Sequence, residues 1–211
     1  MIAEMRRPVK SREGKEMFFM APKSKLHAIV YSALMAAIVY VLTQIYIPLG
    51  ESRVHLGNAA SMLAGLLLGP WLGGAASAVG AFLFDMVQGY PIVEALVTFV
   101  SKFLMAMVAG LVADAYRQEG NVLNAKGHAR VVLGCVFGGL TYIALYMLKT
   151  FVKQHFVGGV PLDGTWTVML AKLPATAINN GLSAVVTPVL YTALRPALNA
   201  VGVLDQLRPK R

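Results

Sequence analysis

The chain of 211 residues is 57% hydrophobic and only 14% charged, with a mean hydropathy of +0.62 and a formal net charge of +9. A soluble domain carries about 25% charged residues, so this sequence lacks the polarity to cover a water-facing surface and reads as an all-α integral membrane protein with the lipid bilayer as its solvent. The single cysteine, Cys135, excludes an intramolecular disulfide framework and a cysteine-cluster metal site.

Residues 1–25 are polar and basic and lack an apolar core ending in a cleavage site. They read as a cytoplasmic tail, not a secretory signal. The tail is read first as disordered, and the patch "MFFM" at 17–20 offers the alternative of resting on a membrane surface. A membrane bundle is expected over 26–198 and a second cytoplasmic tail over 199–211. A helix needs about 20 apolar residues to cross a bilayer core, and 27–47, 71–88, 92–116, 130–152 and 166–194 meet that need. The stretch 54–69 stops at Gly69-Pro70 and is short, but it can cross if tilted or shielded by neighbours. Counting it gives a six-transmembrane-helix bundle.

Charge supports that count, because six spans place both ends on one side. Of the 19 Lys and Arg residues, 14 fall in the N-terminal tail, in the loop carrying Arg117, Lys126 and Arg130, and in the C-terminal end from Arg195 onward. The positive-inside rule then puts both termini in the cytoplasm. The net positive charge follows from this topology. The basic segments are dispersed and no binding motif accompanies them, so nucleic acid is not expected as a partner.

Small residues recur every four positions, as Gly69, Gly73, Ser77 and Ala81, as Ala106 and Gly110, and as Gly134 and Gly138. Helices in lipid associate by close backbone contact through such residues, so these stripes are read as internal packing faces. In the first span Ala33 and Ala37, with Ser32 and Ala36 beside them, form a smooth face. It suits a partner protein as readily as an internal neighbour.

Charges within spans are costly and usually functional. Here they gather on one side. Arg53 and His55 lead into the second span, Asp85 lies near the outer end of the third, and Glu94 begins the fourth. Lys102 lies about 12 Å deeper at helical rise. Lys149 and Lys153 close the fifth span, and Lys172 lies just inside the sixth. The inner half is almost free of charge until Asp114. A channel or proton relay carries polar groups at all depths, so the pattern describes a cup that opens outward over a glycine-packed floor.

Ligand sites combine apolar walls with a few convergent polar groups. The expected lining is Asn58, Gln88, Tyr90 and Glu94, joined by Trp166, Lys172, Thr176, Asn179 and Asn180 from the last span. Alternatives stay open for several of these. Asn179-Asn180 serve as an interhelical clamp or touch ligand. Asp85 and Lys102 pair with each other or face the cup. Lys149 and Lys153 reach to outer headgroups or join the site. Glu51 and Arg53 belong to a loop able to form part of a lid. No Walker A sequence, His-Glu-x-x-His or Gly-x-Ser-x-Gly is present. Enzymatic activity, a cofactor and a bound metal are therefore not expected.

The segments "LGN" at 56–58, "LLLGP" at 66–70, the Gly/Ala-rich stretch ending in Asp85, "KFLMAMVAGL" at 102–111 and "KLPATAINN…TPVLYTALRPAL" at 172–198 together resemble the substrate-binding S components of energy-coupling factor (ECF) vitamin transporters. The resemblance covers 26–198. It implies a six-helix protein of the bacterial cytoplasmic membrane that binds a water-soluble vitamin or precursor at its outer side. It further implies docking on a membrane scaffold subunit carrying two ATPases, through small first-span residues that here are Ala33 and Ala37. Docking topples the S component so that its cup faces the cytoplasm.

The vitamin does not follow from the resemblance: pantothenate, cobalamin, riboflavin, pyridoxine and others share the scaffold. Arg53, Lys149, Lys153 and Lys172 favour a ligand with a carboxylate or other acceptor-rich group, for instance pantothenate. No aromatic clustering of the kind expected for thiamine is visible. The competing readings are a self-sufficient small secondary transporter, which needs an intramembrane acid serving both access states, and a purely structural membrane protein, which leaves the one-sided charges without purpose.

Overall fold

Helix α1 runs over Lys25–Gln44, the first element of a computed structural model that describes residues 25–49, 52–115 and 123–207. The expected N-terminal tail up to residue 24, Glu51, Arg117 and the last four residues lie outside the described residues. The first span was expected to reach residue 47. Instead the chain leaves the helix after Gln44 and forms strands β1 (Tyr46–Leu49) and β2 (Ser52–His55), paired antiparallel from Tyr46 opposite His55 to Leu49 opposite Ser52. The reason is local. Ile45-Tyr46-Ile47 is β-branched and aromatic, and Pro48 has no N–H for a helix to use.

Helix α2 (Gly57–Leu68) has 12 residues, every one of them buried. A helix apolar all round belongs in a core, and one with no face on lipid need not match the bilayer's thickness. It ends at Gly69, where φ is 83°, and Pro70 opens α3 (Pro70–Val87) directly. Pro suits a first helical position because its missing N–H would be unpaired there anyway. Helix α4 covers Ile92–Ala113, and α5 covers Ala125–Phe151 and runs on into a π-helix at Val152–Val157. Asn124 starts α5 five residues earlier than expected, its side chain accepting the Gly127 N–H at 2.7 Å. Helix α6 (Leu162–Ala200) and the short α7 (Val203–Leu207) complete the order.

Five of these helices are long and apolar enough to cross a membrane: α1, α3, α4, α5 with its π-helix extension, and α6. Their outward faces carry Leu26, Ile29, Leu34, Val41, Val185 and Val189, all more than half exposed, as a multi-pass membrane protein requires. Inside, backbones touch where the small-residue stripes meet. A Cβ on Gly65 would lie 2.1 Å from the Ala106 carbonyl oxygen, and one on Gly80 would lie 2.3 Å from that of Ala36. These contacts join α2 to α4 and α1 to α3. A Cβ on Gly134 would lie 2.6 Å from the Ala109 carbonyl oxygen and one on Gly138 2.8 Å from that of Met105, contacts that seat α5 on α4.

One expectation about charge is corrected. Arg195 was grouped with the C-terminal basic end, but α6 continues to Ala200 and Arg195 is only 1% exposed. Its guanidinium donates to the Tyr191 hydroxyl at 2.5 Å, and Tyr191 donates to the Ala115 carbonyl at 2.9 Å. The end of the bundle away from the hairpin therefore holds a buried cation.

Candidate functional site

The hairpin end gathers the C-termini of α1, α3 and α5 and the N-termini of α2, α4 and α6. Among them lies a cavity of about 300 Å³. Helical spacing explains its walls. Glu94, Thr98 and Lys102 follow one another at four-residue steps on α4. Tyr142, Tyr146, Lys149 and Lys153 follow at steps of four, three and four along α5 and the π-helix. Lys172, Thr176 and Asn179 do the same on α6, and all of these side chains line the cavity.

The hairpin closes one side. Asn179 holds it like a third strand: its side-chain oxygen accepts the His55 N–H at 2.8 Å, and its amide donates to the Arg53 carbonyl at 2.7 Å. Arg53 then spreads its guanidinium over the rings of Tyr46 (4.7 Å), Phe84 (5.6 Å) and Tyr90 (5.8 Å), the geometry of cation–π attraction. One guanidinium nitrogen, Nη2, donates to the Tyr90 hydroxyl, while the other, Nη1, is buried with no hydrogen-bond partner.

His55 faces the cavity and accepts the Gly57 N–H on Nδ1 at 3.0 Å, which satisfies a donor at the start of α2. Burial, then the charges of Lys102 and Arg53, lower its pKa from 6.5 to about 3. The imidazole is therefore neutral at physiological pH, with its proton on Nε2. Gly57 has no alternative here, because a Cβ would meet the Thr43 hydroxyl at 2.1 Å. The "LGN" segment is thus a joint between α1, the hairpin and α2.

At the floor a polar chain links three helices. Lys102, 3% exposed, donates from its ammonium to Asn58 Oδ1 and lies 4.6 Å above the Tyr142 ring. Asn58 donates to Asn180 Oδ1 at 3.3 Å, and Asn180 donates to the Thr176 carbonyl at 2.8 Å. Asp85 takes a hydrogen bond from Thr98 and makes no ion pair with Lys102. At the mouth Glu94 receives Lys153 at 2.5 Å and Lys149 at 3.4 Å.

The structure therefore brings Arg53, His55, Asn58, Asp85, Tyr90, Glu94, Lys149, Lys172, Thr176 and Asn179 to one cavity. It does not bring Gln88, Trp166 or Asn180. Gln88 caps the end of α3 and donates to the Gln44 side chain at 2.9 Å, tying α3 to α1 at the surface. Trp166 is 54% exposed. It lies six residues before Lys172, which is 240° further around the helix at 100° per residue. Asn180 is buried as a clamp behind Asn58. Lys149 and Lys153 meet Glu94 rather than standing alone. The cavity also takes in Lys102, which faces it rather than pairing with Asp85, and Thr43, Phe84, Thr98, Tyr142 and Tyr146, which were not named as lining. Phe84, Tyr90, Tyr142 and Tyr146 amount to the aromatic gathering that was not visible in the sequence, because three separate elements supply it.

Comparison with known proteins agrees with this architecture. An uncharacterized protein of Pyrococcus woesei is 31% identical over 120 residues, covering 57% of this chain and 74% of that protein. A solved structure described as the S component of a bacterial ECF transporter has the same fold, with a TM-score of 0.58 at 18% identity over 83% of this chain and 99% of the other. The family model described as ECF-type riboflavin transporter, S component, matches residues 23–196, and the chain accordingly belongs to that family of S components.

Proposed function

We propose that this protein captures a water-soluble vitamin in the cavity at its hairpin end and delivers it inside by tipping over as a body when docked on an ECF scaffold subunit with two ATPases. One observation carries the reading: the cavity is polar at its mouth and walls but bottoms out on helices in backbone contact. Two turns below Asn58, Gly65 abuts Ala106, one turn below Lys102, which closes the floor between α2 and α4. The buried polar side chains that continue down α6, Ser183, Thr187 and Tyr191, are each bonded to a backbone carbonyl rather than opening onto a path. A solute held there leaves by the way it entered, or the whole protein must move.

In this reading α2 is the sixth span, shielded from lipid by its neighbours, and both termini lie in the cytoplasm, with the hairpin end outside. Ala33 and Ala37 form the docking face. The family's name makes riboflavin the first vitamin to try, and the aromatic lining suits a planar ring. The family is a transporter component rather than an enzyme class.

The test is direct. Purified protein binds its vitamin without ATP, and reconstituted vesicles accumulate it only when the scaffold and ATPases are present. Accumulation by this chain alone under a proton gradient overturns the proposal in favour of a secondary transporter. That alternative is disfavoured because the two carboxylates of the cavity, Asp85 and Glu94, both lie at one end.

A further inference from the structure

Beyond the 14 basic residues grouped in the N-terminal tail, the 117–130 loop and the C-terminal end, the chain has five more Lys and Arg residues, and every one of them lines this cavity. They are Arg53, Lys102, Lys149, Lys153 and Lys172, and among the described residues the lining holds two carboxylates, Asp85 and Glu94. The polar groups divide further into engaged acceptors and idle donors. Glu94 already holds two lysines, Asp85 holds Thr98, Asn58 Oδ1 holds Lys102, and Asn179 Oδ1 holds the His55 N–H. Each carboxylate and amide oxygen group of the lining has a donor from the protein itself.

The donors are not matched in return. Arg53 Nη1 is buried without a partner. Lys172 forms no ion pair with any carboxylate among the described residues. The Lys102 ammonium has three N–H groups but only an amide oxygen and a ring face to receive them. His55 lines the cavity and accepts on Nδ1, which leaves Nε2 as the ring's donor. Buried cationic donors are costly unless hydrogen-bonded to negative charge, and the Lys102 ammonium and Arg53 Nη1 are buried, so an oxyanion entering the cavity gives them partners that the protein itself does not.

We infer that the cavity takes a small organic anion, bearing a carboxylate or a phosphate ester, in preference to its uncharged counterpart. This rests on the reading of the cavity as the substrate site and deepens it. The oxyanion answers Arg53, Lys102 and Lys172, while Tyr90, Tyr142 and Tyr146 receive the organic body.

The experiment is calorimetric titration of the purified full chain, without nucleotide, with two matched pairs: riboflavin 5′-phosphate against riboflavin, and pantothenate against its alcohol pantothenol. It is joined by native mass spectrometry of protein released from membranes. The expected result is that the anionic member of one pair binds at least tenfold tighter. The pair that responds distinguishes phosphate from carboxylate. The difference shrinks with rising salt and in Lys172→Gln and Arg53→Gln. A neutral member that binds as tightly as its anion overturns the inference, as does an equal loss for both members in the two variants. If none of the four binds, the charge of a co-purified small molecule decides: an anion supports the inference and a neutral compound overturns it. Absence of any bound molecule in both experiments overturns the substrate-site reading itself.

Discussion

A methyl group on Gly65 would arrive 2.1 Å from the Ala106 carbonyl oxygen, and from the facing helix a methyl on Gly110 would stand 2.6 Å from the Gly65 carbonyl oxygen. Both obstacles are backbone, and neither helix can retreat without opening the core. Gly65→Ala therefore lowers the thermal midpoint of detergent-solubilised protein by several degrees, as overpacking costing about 1–3 kcal/mol demands. Gly181→Ala is the control. It also lies within a helix, but its added Cβ meets nothing within 4 Å, and the gain in helix propensity is about 1 kcal/mol. Its midpoint stays level or rises. Equal midpoints in the two variants contradict the close approach of α2 and α4. The glycine stripes themselves were legible in the sequence, because in lipid small residues at four-residue steps have few uses besides helix contact. Which glycine meets which carbonyl was not, because helix periodicity says nothing of the partner.

Elements explain where sequence reading reached the site and where it stopped. Glu94 and Lys102, or Lys149 and Lys153, stand out singly as charges in apolar runs. Their helical phase also brings Thr98, Tyr142 and Tyr146 to the same face, a signal that was present at steps of three and four. Trp166 and Gln88 misled because residue type alone does not set direction. Trp166 is out of phase with Lys172, and Gln88 lies past the last turn of α3. The hairpin was hidden because Ile45-Tyr46-Ile47 continues the hydropathy of α1 without a break. Its attachment to α6 through Asn179 joins residues 124 and 126 positions apart, which no local pattern reveals. Asn179→Ala removes both of those hydrogen bonds, each worth about 1 kcal/mol. Hydrogen exchange at the β2 amides speeds up and vitamin affinity falls roughly tenfold, with little change in the global melting midpoint. Unchanged exchange in β2 means that the hairpin is held by its apolar contacts instead.

At the scale of the whole molecule, α1 leaves small residues one turn apart on an outer face, as α6 does at Ala177 and Gly181. Helix α1 turns Met35, Ala36 and Val39 inward, with Ala36 against Gly80, and leaves Ala33 and Ala37 exposed on the opposite side beside Leu34 and Val41. Methyl-sized side chains one turn apart make a shallow groove on a face that otherwise needs only grease. Lipid does not require that smoothness, but a partner helix seeking backbone contact does. The cavity lies at the hairpin end, and Ala33 lies about 15 Å along the helix from Thr43 at its wall, so docking and binding are separable. Ala33→Trp and Ala37→Trp consequently leave vitamin affinity of the isolated protein within about twofold. The same changes abolish uptake by the complete transporter and co-purification of the scaffold. Retained uptake with either tryptophan places the docking face elsewhere on the bundle. Loss of binding in the isolated protein shows instead that α1 packing reaches the cavity, and the face then belongs to the fold rather than to a partner.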